Sequence, residues 1–306
     1  MNLNQGTTPH IENTEAEPTA AGKHGSRKLR LLAGCFLGIA LFFCIGTGVY
    51  YYRHRPTISD LNSDPVLIAH SLGGIENGKY SNSLEAFQSN YAKGMRVFET
   101  DFSWTSDHVL VLRHDWEREL GQEGLFKYEG YIPTYEEFMS TPLYGKYTPL
   151  DAADLLRLMK KYPDIYVITD SKDTEPEQVT EDFSMLLTLA GQEDALSCLD
   201  RFIVQIYNDD MYDAVLSVYP FQISIYTLYL RGTDNFEDVC RFCAERNIPI
   251  ITMQYKKYNE EFQALADSYG LKIYLHTVNK KKAALGFYES GVSGFYTEKL
   301  TPAHFE

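Results

Sequence analysis

Short apolar runs alternate with longer helical patterns from about residue 65 to the last residues of the chain. The short runs are six or seven residues long and mostly rich in Val, Ile, Tyr and Phe, which is typical of buried strands. The strand candidates are residues 65–70, 96–102, 165–170, 201–206, 222–227, 249–254, 272–277 and 293–298. Eight strands separated by helices over about 250 residues predict an α/β fold, a (β/α)8 TIM barrel. The alternative is a doubly wound open sheet, although no glycine-rich phosphate loop follows the first strand.

One apolar run, residues 108–114, interrupts the alternation because only six residues separate it from Asp101. A parallel crossover needs about a dozen residues or more, so this run cannot be the next barrel strand. We expect it to fold back through a turn at 105–107 as an antiparallel hairpin, which returns His114 to the neighbourhood of Asp101. The irregular segment that follows, residues 115–149, predicts an insertion that forms a lid or collar at the barrel mouth.

The N-terminal region has a different pattern from the barrel candidate, residues 57–306. Residues 1–30 are polar without a hydrophobic period and predict a disordered tail. Residues 31–52 carry no charge, and 22 residues at about 1.5 Å each span a hydrocarbon core of roughly 30 Å. They predict one transmembrane helix. A cleaved signal peptide fits less well because tyrosines and arginines follow the run, and a lipoprotein box at Leu32–Cys35 would precede most of the apolar residues.

Flanking charge suggests an orientation, because more lysines and arginines precede the predicted span than follow it. We therefore expect a single-pass cell-membrane protein with a cytoplasmic tail and an extracellular barrel. The formal net charge of −14 argues against nucleic-acid binding. Among five cysteines only Cys240 and Cys243 are close together, in a helical pattern and without a second pair for zinc.

The candidate chemistry lies at the carboxyl ends of the predicted strands, where barrel enzymes carry their active sites. The polar residues there are His70, Glu99, Asp101, Asp170, Lys172, Gln205 and His276, and the hairpin adds His114. Glu99 and Asp101 are two residues apart on a strand and point to one face. Three carboxylates without a cysteine suit a hard divalent cation, Ca²⁺ or Mg²⁺, better than zinc.

These residue types fit the cleavage of a phosphodiester. A divalent cation and Lys172 would neutralise phosphoryl charge. Two histidines could divide the proton transfers, because the pKa of histidine lies near neutrality. Each piece also has a structural interpretation: histidines that end strands are often packing residues, acid pairs are often on surfaces, and His276 could contact substrate or only pack.

Several segments resemble, in order and spacing, the glycerophosphodiester phosphodiesterase family. They are "IAH", "NSLEAF", "FETDFSWTSDHVLVLRHD", "YVITDSK", "GLKIYLHTVN" and "GVSGFYTE", and the resemblance covers roughly residues 65–298. It implies a TIM barrel of the phospholipase C-like phosphodiesterase type. It also implies a catalytic pair and three metal ligands, which map to His70 and His114 and to Glu99, Asp101 and Asp170.

The sequence departs from the family pattern in four segments. The family usually has His-Arg-Gly at the first strand, with the arginine reaching the phosphate, whereas here Ser71 and Leu72 follow His70. Only Asn82 is retained from the usual Glu-Asn-Thr, the third metal ligand is Asp170 instead of Glu, and His276 replaces a tryptophan. A lysine does not replace the bidentate arginine contact in kind.

The combined prediction is a membrane-anchored, metal-dependent phosphoric diester hydrolase. It would cleave small glycerophosphodiesters or related lipid-derived headgroups, with substrate contacts from Lys172, Asn82, Gln205 and His276. One alternative is a phospholipase C- or D-type lyase that makes cyclic phosphates. The other is a degenerate, non-catalytic barrel that serves as a binding module.

Overall fold

The computed structural model describes residues 64–76 and 78–305. The predicted tail and the predicted transmembrane run, residues 1–30 and 31–52, lie outside the described residues and stay predictions. Within the described ranges, no helix combines the length and the apolar character that crossing a bilayer requires.

Nine strands and eight α-helices make up the described chain. The strands are β1 Val66–Ala69, β2 Val97–Trp104, β3 Leu110–Leu112, β4 Tyr166–Ser171, β5 Phe202–Ile206, β6 Ile223–Thr227, β7 Ile250–Gln254, β8 Lys272–His276 and β9 Gly294–Thr297. The helices are α1 Leu84–Ala92, α2 Tyr135–Ser140, α3 Ala152–Lys161, α4 Pro176–Gln192, α5 Asp209–Val218, α6 Phe236–Glu245, α7 Glu260–Ser268 and α8 Lys281–Glu289.

All strands except β3 form a closed parallel barrel. Each pairs with the next in chain order, and β1 pairs with both β2 and β9, so the sheet closes on itself. This closure confirms the predicted TIM barrel and excludes the open doubly wound sheet, in which the first strand would not hydrogen-bond the last.

The predicted hairpin is also confirmed. Strand β3 pairs antiparallel with β2, with Leu112 opposite Phe102. Thr105 N donates to Val109 O at 3.0 Å to close the reversal. The pairing continues one step beyond the strand, because Arg113 N donates to Asp101 O at 3.1 Å. His114 therefore follows directly on a residue that is hydrogen-bonded to a candidate metal ligand.

Side chains alternate between the two faces of each strand, so one face packs against the helices and the other faces the barrel interior. Polar residues on the interior face lie at the barrel mouth, near the carboxyl ends of the strands. On β5, Phe202, Val204 and Ile206 belong to the large cluster shared with the helices. Ile203 belongs to a smaller cluster inside the barrel, to which each of the eight barrel strands contributes one or two residues. Gln205 shares the face of Ile203, one step closer to the carboxyl end. The same alternation places Glu99, Asp101 and Asp170 inside the barrel.

Residues 115–149 pack on a separate hydrophobic cluster that also includes Val111 of β3. Val111, Leu120, Leu125, Phe138 and Leu143 form it, and all five are buried. The helix α2 within this segment begins with a capping box, in which Thr134 and Glu137 satisfy each other's backbone N–H groups. The segment therefore has a core and a helix start that are independent of the barrel helices.

Candidate active site

Three carboxylates converge at the carboxyl ends of β2 and β4. One oxygen from each of Glu99, Asp101 and Asp170 lies within 4.8 Å of the others, and all three residues are buried. The strand register produces this convergence, because Asp101 is paired with Asp170. Glu99 Oε1 is buried and has no hydrogen-bond partner in the part of the chain that is described. A free buried oxygen within a carboxylate cluster fits a hard divalent cation.

The pKa values of two of these acids depend on how much positive charge lies near each carboxylate. Burial, followed by the negative charge of Asp101, raises the pKa of Glu99 to about 8. Burial would raise the pKa of Asp101 too, but Lys172 and the histidines outweigh it and hold that pKa well below its usual range. The cations that compensate Asp101 thus leave the buried Glu99 carboxylate without enough positive charge.

Lys172 lies against these acids. Its Nζ is 2.6 Å from Asp101 Oδ1 and forms a second ion pair with Asp170 Oδ2. Tyr207 donates its hydroxyl to the other oxygen of Asp170. Burial lowers the pKa of Lys172, but the charges of Asp101 and Asp170 outweigh it and raise the pKa well above its usual value. The lysine contacts the acids in this structure, and its contact with substrate stays a prediction.

Ser71 and Asn82 hold the acids from behind. Ser71 N donates to Glu99 Oε2 at 2.7 Å, and Ser71 Oγ donates to Asp101 Oδ2 at 2.8 Å. The left-handed backbone of Ser71 (φ 53°) forms part of the turn that carries both donors. Asn82 Nδ2 donates to the same Asp101 oxygen at 2.9 Å, and its Oδ1 accepts from Thr100 Oγ1 at 2.9 Å. Asn82 is fully buried and supports Asp101 in this structure, and its substrate contact stays a prediction.

The two histidines face one tyrosine ring, and each has a carboxylate beside Nδ1. The Tyr80 ring centroid lies 5.2 Å from that of His70 and 4.9 Å from that of His114. His70 Nδ1 is 3.6 Å from Glu298 Oε1, and His114 Nδ1 is 2.6 Å from Asp115 Oδ2. These contacts leave Nε2 of both rings for a reacting group.

The environments move the two imidazole pKa values in opposite directions. Burial lowers the pKa of His70, but Glu99, Glu298 and Asp101 together outweigh it, so the net shift is upward. Burial lowers the pKa of His114 to about 4, against the charge of Asp101 only 3.9 Å from its Nε2. The pair can therefore hold different protonation states at one pH.

These groups surround a cavity of about 100 Å³, which we call the catalytic pocket. Its lining includes most of the residues predicted from sequence: His70, Glu99, His114, Asp170, Lys172, Gln205 and His276. Gln205 Oε1 accepts from the Tyr296 hydroxyl at 2.9 Å. His276 Nε2 is buried without a hydrogen-bond partner among the described residues, and burial lowers the pKa of His276 to about 3. The substrate roles of Gln205 and His276 stay predictions.

Sequence reasoning assigned no role to four residues of this site. Asp115 and Glu298 carried a usable signal, because each is the acid that ends a recognised segment. Tyr80 and Arg118 carried none, since both lie in irregular segments. Arg118 lines the catalytic pocket, contacts Asp115 and His114, and places its guanidinium carbon 4.8 Å from the Tyr80 ring centroid.

A buried arginine fixes the segment that carries Asp115 and Arg118. Arg113 is 1% exposed, and its Nε donates to Asp115 O at 2.7 Å. Its Nη1 donates to Gln122 Oε1 at 2.7 Å, and its Nη2 donates to Arg118 O. The guanidinium carbon lies 4.8 Å from the ring centroid of Trp116. We call this set of contacts the Arg113 clamp.

Comparison with known proteins identifies a family for the chain and a shared fold. The model of the glycerophosphoryl diester phosphodiesterase family matches residues 73–301. A glycerophosphodiester phosphodiesterase structure from Parabacteroides distasonis is 18% identical, with a TM-score of 0.60 over 76% of this chain and 92% of that one. An Oleispira antarctica phosphodiesterase in complex with the product sn-glycerol-3-phosphate is 14% identical, with a TM-score of 0.60 over 77% and 93%. No curated protein matches the chain. At these identities the solved structures show a shared fold.

Proposed function

The chain belongs to the glycerophosphoryl diester phosphodiesterase family and is a phosphoric diester hydrolase; we propose that it cleaves glycerophosphodiesters by two-histidine acid/base catalysis at a divalent-cation site. The observation that carries this proposal is the approach of Glu99, Asp101 and Asp170 within 4.8 Å in a pocket that His70 and His114 also line. The all-oxygen ligand set favours Ca²⁺ or Mg²⁺.

The three acids would hold the cation, which when bound offsets negative charge on the phosphoryl oxygens. Ser71 and Asn82 keep Asp101 oriented toward that position through hydrogen bonds of 2.8 and 2.9 Å. Fixed ligands lower the cost of reorganising the site when charge develops on the phosphoryl group. The residues behind the acids therefore contribute by preventing their rotation.

The histidines divide the proton transfers. One imidazole accepts the proton of the attacking hydroxyl group or water, and the other donates a proton to the departing alcohol oxygen. Asp115 contacts Nδ1 of His114 at 2.6 Å and orients that ring, while Glu298 lies 3.6 Å from Nδ1 of His70. A carboxylate on the Nδ1 side favours an arrangement in which Nε2 faces the substrate.

Arg118 takes over the phosphate contact that an arginine after the first histidine would make. Ser71 occupies that position and uses both its N–H and its hydroxyl on the acids. The Arg118 side chain reaches the same pocket from the insertion and is 41% exposed, so it lies at the pocket edge. A guanidinium there can bind a phosphoryl oxygen pair in a bidentate way.

The test is release of sn-glycerol 3-phosphate from glycerophosphocholine by the full chain, with and without chelator. Activity should disappear with EDTA and return with Ca²⁺ or Mg²⁺. The changes Glu99→Gln and Asp101→Asn together should lower kcat at least about 100-fold. Glu177→Gln on the exposed first turn of α4 is the matched control and should leave kcat unchanged. Unchanged turnover in the double variant would exclude the metal role of these acids.

We also propose that residues 31–52 anchor the chain in the cell membrane with the barrel outside. The uncharged 22-residue run and the excess of cations before it support this arrangement. Alkaline carbonate washing of membranes should leave the chain in the pellet, and protease added to intact cells should digest the barrel. Recovery in the soluble fraction would exclude anchoring, and protection from protease would exclude the orientation.

A further inference from the structure

A second, larger cavity lies beside the catalytic pocket. Its volume is about 1100 Å³, against about 100 Å³ for the catalytic pocket. Tyr80 and Arg118 line both cavities, and the Arg118 guanidinium lies over the Tyr80 ring. These two stacked side chains form a common wall, so we call the larger space the outer cavity.

The catalytic pocket is much smaller than the outer cavity, and it is lined by the residues that would act on the reacting phosphate. A phosphodiester whose phosphate lies there can extend one substituent past Tyr80 and Arg118, which border the outer cavity.

The outer cavity is positively charged although the chain has a formal net charge of −14. The charged residues that line it are Lys79, Lys93, Arg118 and Lys299 against Glu76 and Glu298. Arg118 is already paired with Asp115, so the three lysines against two carboxylates leave an excess of one positive charge. A positive cavity on an otherwise acidic protein raises the local concentration of anions.

Both carboxylates in the lining already have cationic or imidazole neighbours. Glu298 lies 3.6 Å from His70 Nδ1 and 3.5 Å from Lys79 Nζ. Glu76 is largely exposed and lies 3.9 Å from Lys146. Lys93 and Lys299 form no ion pair with any described residue and are exposed, so these two charges remain for a ligand.

We propose that the outer cavity binds a second anionic group on the substrate, such as a phosphomonoester carried by the polyol that is esterified to the reacting phosphate. This inference rests on the proposed function, because it concerns a substituent of the same phosphodiester. The preferred substrates are then glycerophosphodiesters of phosphorylated polyols, and headgroups that carry a positive charge bind less well.

The experiment compares two substrates that differ by one phosphate. Glycerophosphoinositol and its 4-phosphate are supplied to the full chain with Mg²⁺ or Ca²⁺, and kcat/KM is measured from the release of sn-glycerol 3-phosphate. We expect the phosphorylated substrate to have about tenfold higher kcat/KM, mostly through KM, and this preference should weaken as salt is added. Glycerophosphocholine should be the poorest of the three substrates.

Three variants locate the preference. The double change Lys93→Gln, Lys299→Gln should bring the ratio of the two kcat/KM values close to one. The double change to arginine at the same positions keeps the charge and should keep the ratio. Lys272→Gln removes an exposed lysine from the first residue of β8, at the opposite end of the barrel, and is the matched control.

The outcomes separate this inference from the proposed function. If wild-type protein cleaves none of the three substrates, the proposed function fails. If it cleaves both inositol substrates with equal kcat/KM, or if the preference survives the double change to glutamine, the outer cavity does not bind the second anion. Circular dichroism of each variant shows whether a loss of preference comes from misfolding.

Discussion

Replacing Arg113 by methionine tests whether the Arg113 clamp organises the catalytic mouth. Methionine keeps much of the aliphatic volume beside Trp116 but removes the guanidinium and its three donated hydrogen bonds. The Gln122 side chain is 2% exposed, so its oxygen loses its donor in a place that water cannot readily reach. The carbonyl groups of Asp115 and Arg118 belong to more exposed residues and can turn to solvent.

The expected loss of stability follows from these three contacts. An unsatisfied buried acceptor costs about 1–3 kcal/mol, and each of the two more exposed hydrogen bonds contributes about 0.5–1.5 kcal/mol. Removing the buried charge offsets part of this loss, because burial lowers the pKa of Arg113 to about 10 and no carboxylate among the described residues is paired with it. The net cost in free energy of unfolding should be about 2–4 kcal/mol.

Urea unfolding measures this cost, and tryptophan fluorescence follows it. The chain has two tryptophans, Trp104 and Trp116, and both lie near the hairpin. Arg113→Lys should fall between wild type and Arg113→Met, because one ammonium group cannot reach all three acceptors. Arg241→Met is the matched control, since Arg241 is exposed and, among the described residues, forms an ion pair only with Asp238 on its own helix.

The second measurement is the kcat of the Arg113→Met variant. Loosening the segment after His114 should lower kcat about tenfold even where the folded fraction is unchanged, because Asp115 and Arg118 lose their common support. A methionine variant as stable as wild type would refute the energetic reasoning. A destabilised variant with wild-type kcat would show that the clamp does not position the site.

Three further predictions follow from buried side chains. Leu156→Ala in α3 should lower the free energy of unfolding by about 2–5 kcal/mol, because Leu156 is fully buried, and urea melts check this. Burial raises the pKa of Asp182 to about 6, so wild type should lose stability relative to Asp182→Asn as pH rises from about 4 to 6. The difference between pH 4 and 7 should approach about 3 kcal/mol at 1.36 kcal/mol per pH unit, and equal pH profiles would contradict it. Adding Mg²⁺ or Ca²⁺ at about 100 times Kd should stabilise wild type by about 2.7 kcal/mol but not Glu99→Gln, as thermal unfolding with and without metal will show.

The barrel was predictable from sequence because its strands are buried on both faces and read as short apolar runs. Most strand limits lie within one residue of the predicted ones, and the largest difference is at the hairpin. Strand β2 extends to Trp104 and β3 shortens to Leu110–Leu112, with three residue pairs between the two strands. Composition alone could not give that limit.

The acids were predictable for a different reason, namely the period of two along a strand, which puts Glu99 and Asp101 on one face. Arg118 was not predictable, because its position depends on a buried arginine five residues earlier and on the folding of an irregular segment. The departure at position 71 was visible in the sequence, but its consequence was not. Only the structure shows that Ser71 donates to both Glu99 and Asp101.

Because β1 pairs with β9, the barrel cannot close, and the enzyme cannot act, before β9 has been synthesised. Residues 66–69 leave the ribosome long before residues 294–297, and until then β1 has an open edge. His70 also waits for Glu298, the carboxylate beside its Nδ1. At about 5–20 residues per second, translation from His70 to Glu298 takes roughly 10–45 s. During that time the open edge of β1 must not pair with strands of other chains. Catalysis begins only when β9 is in place.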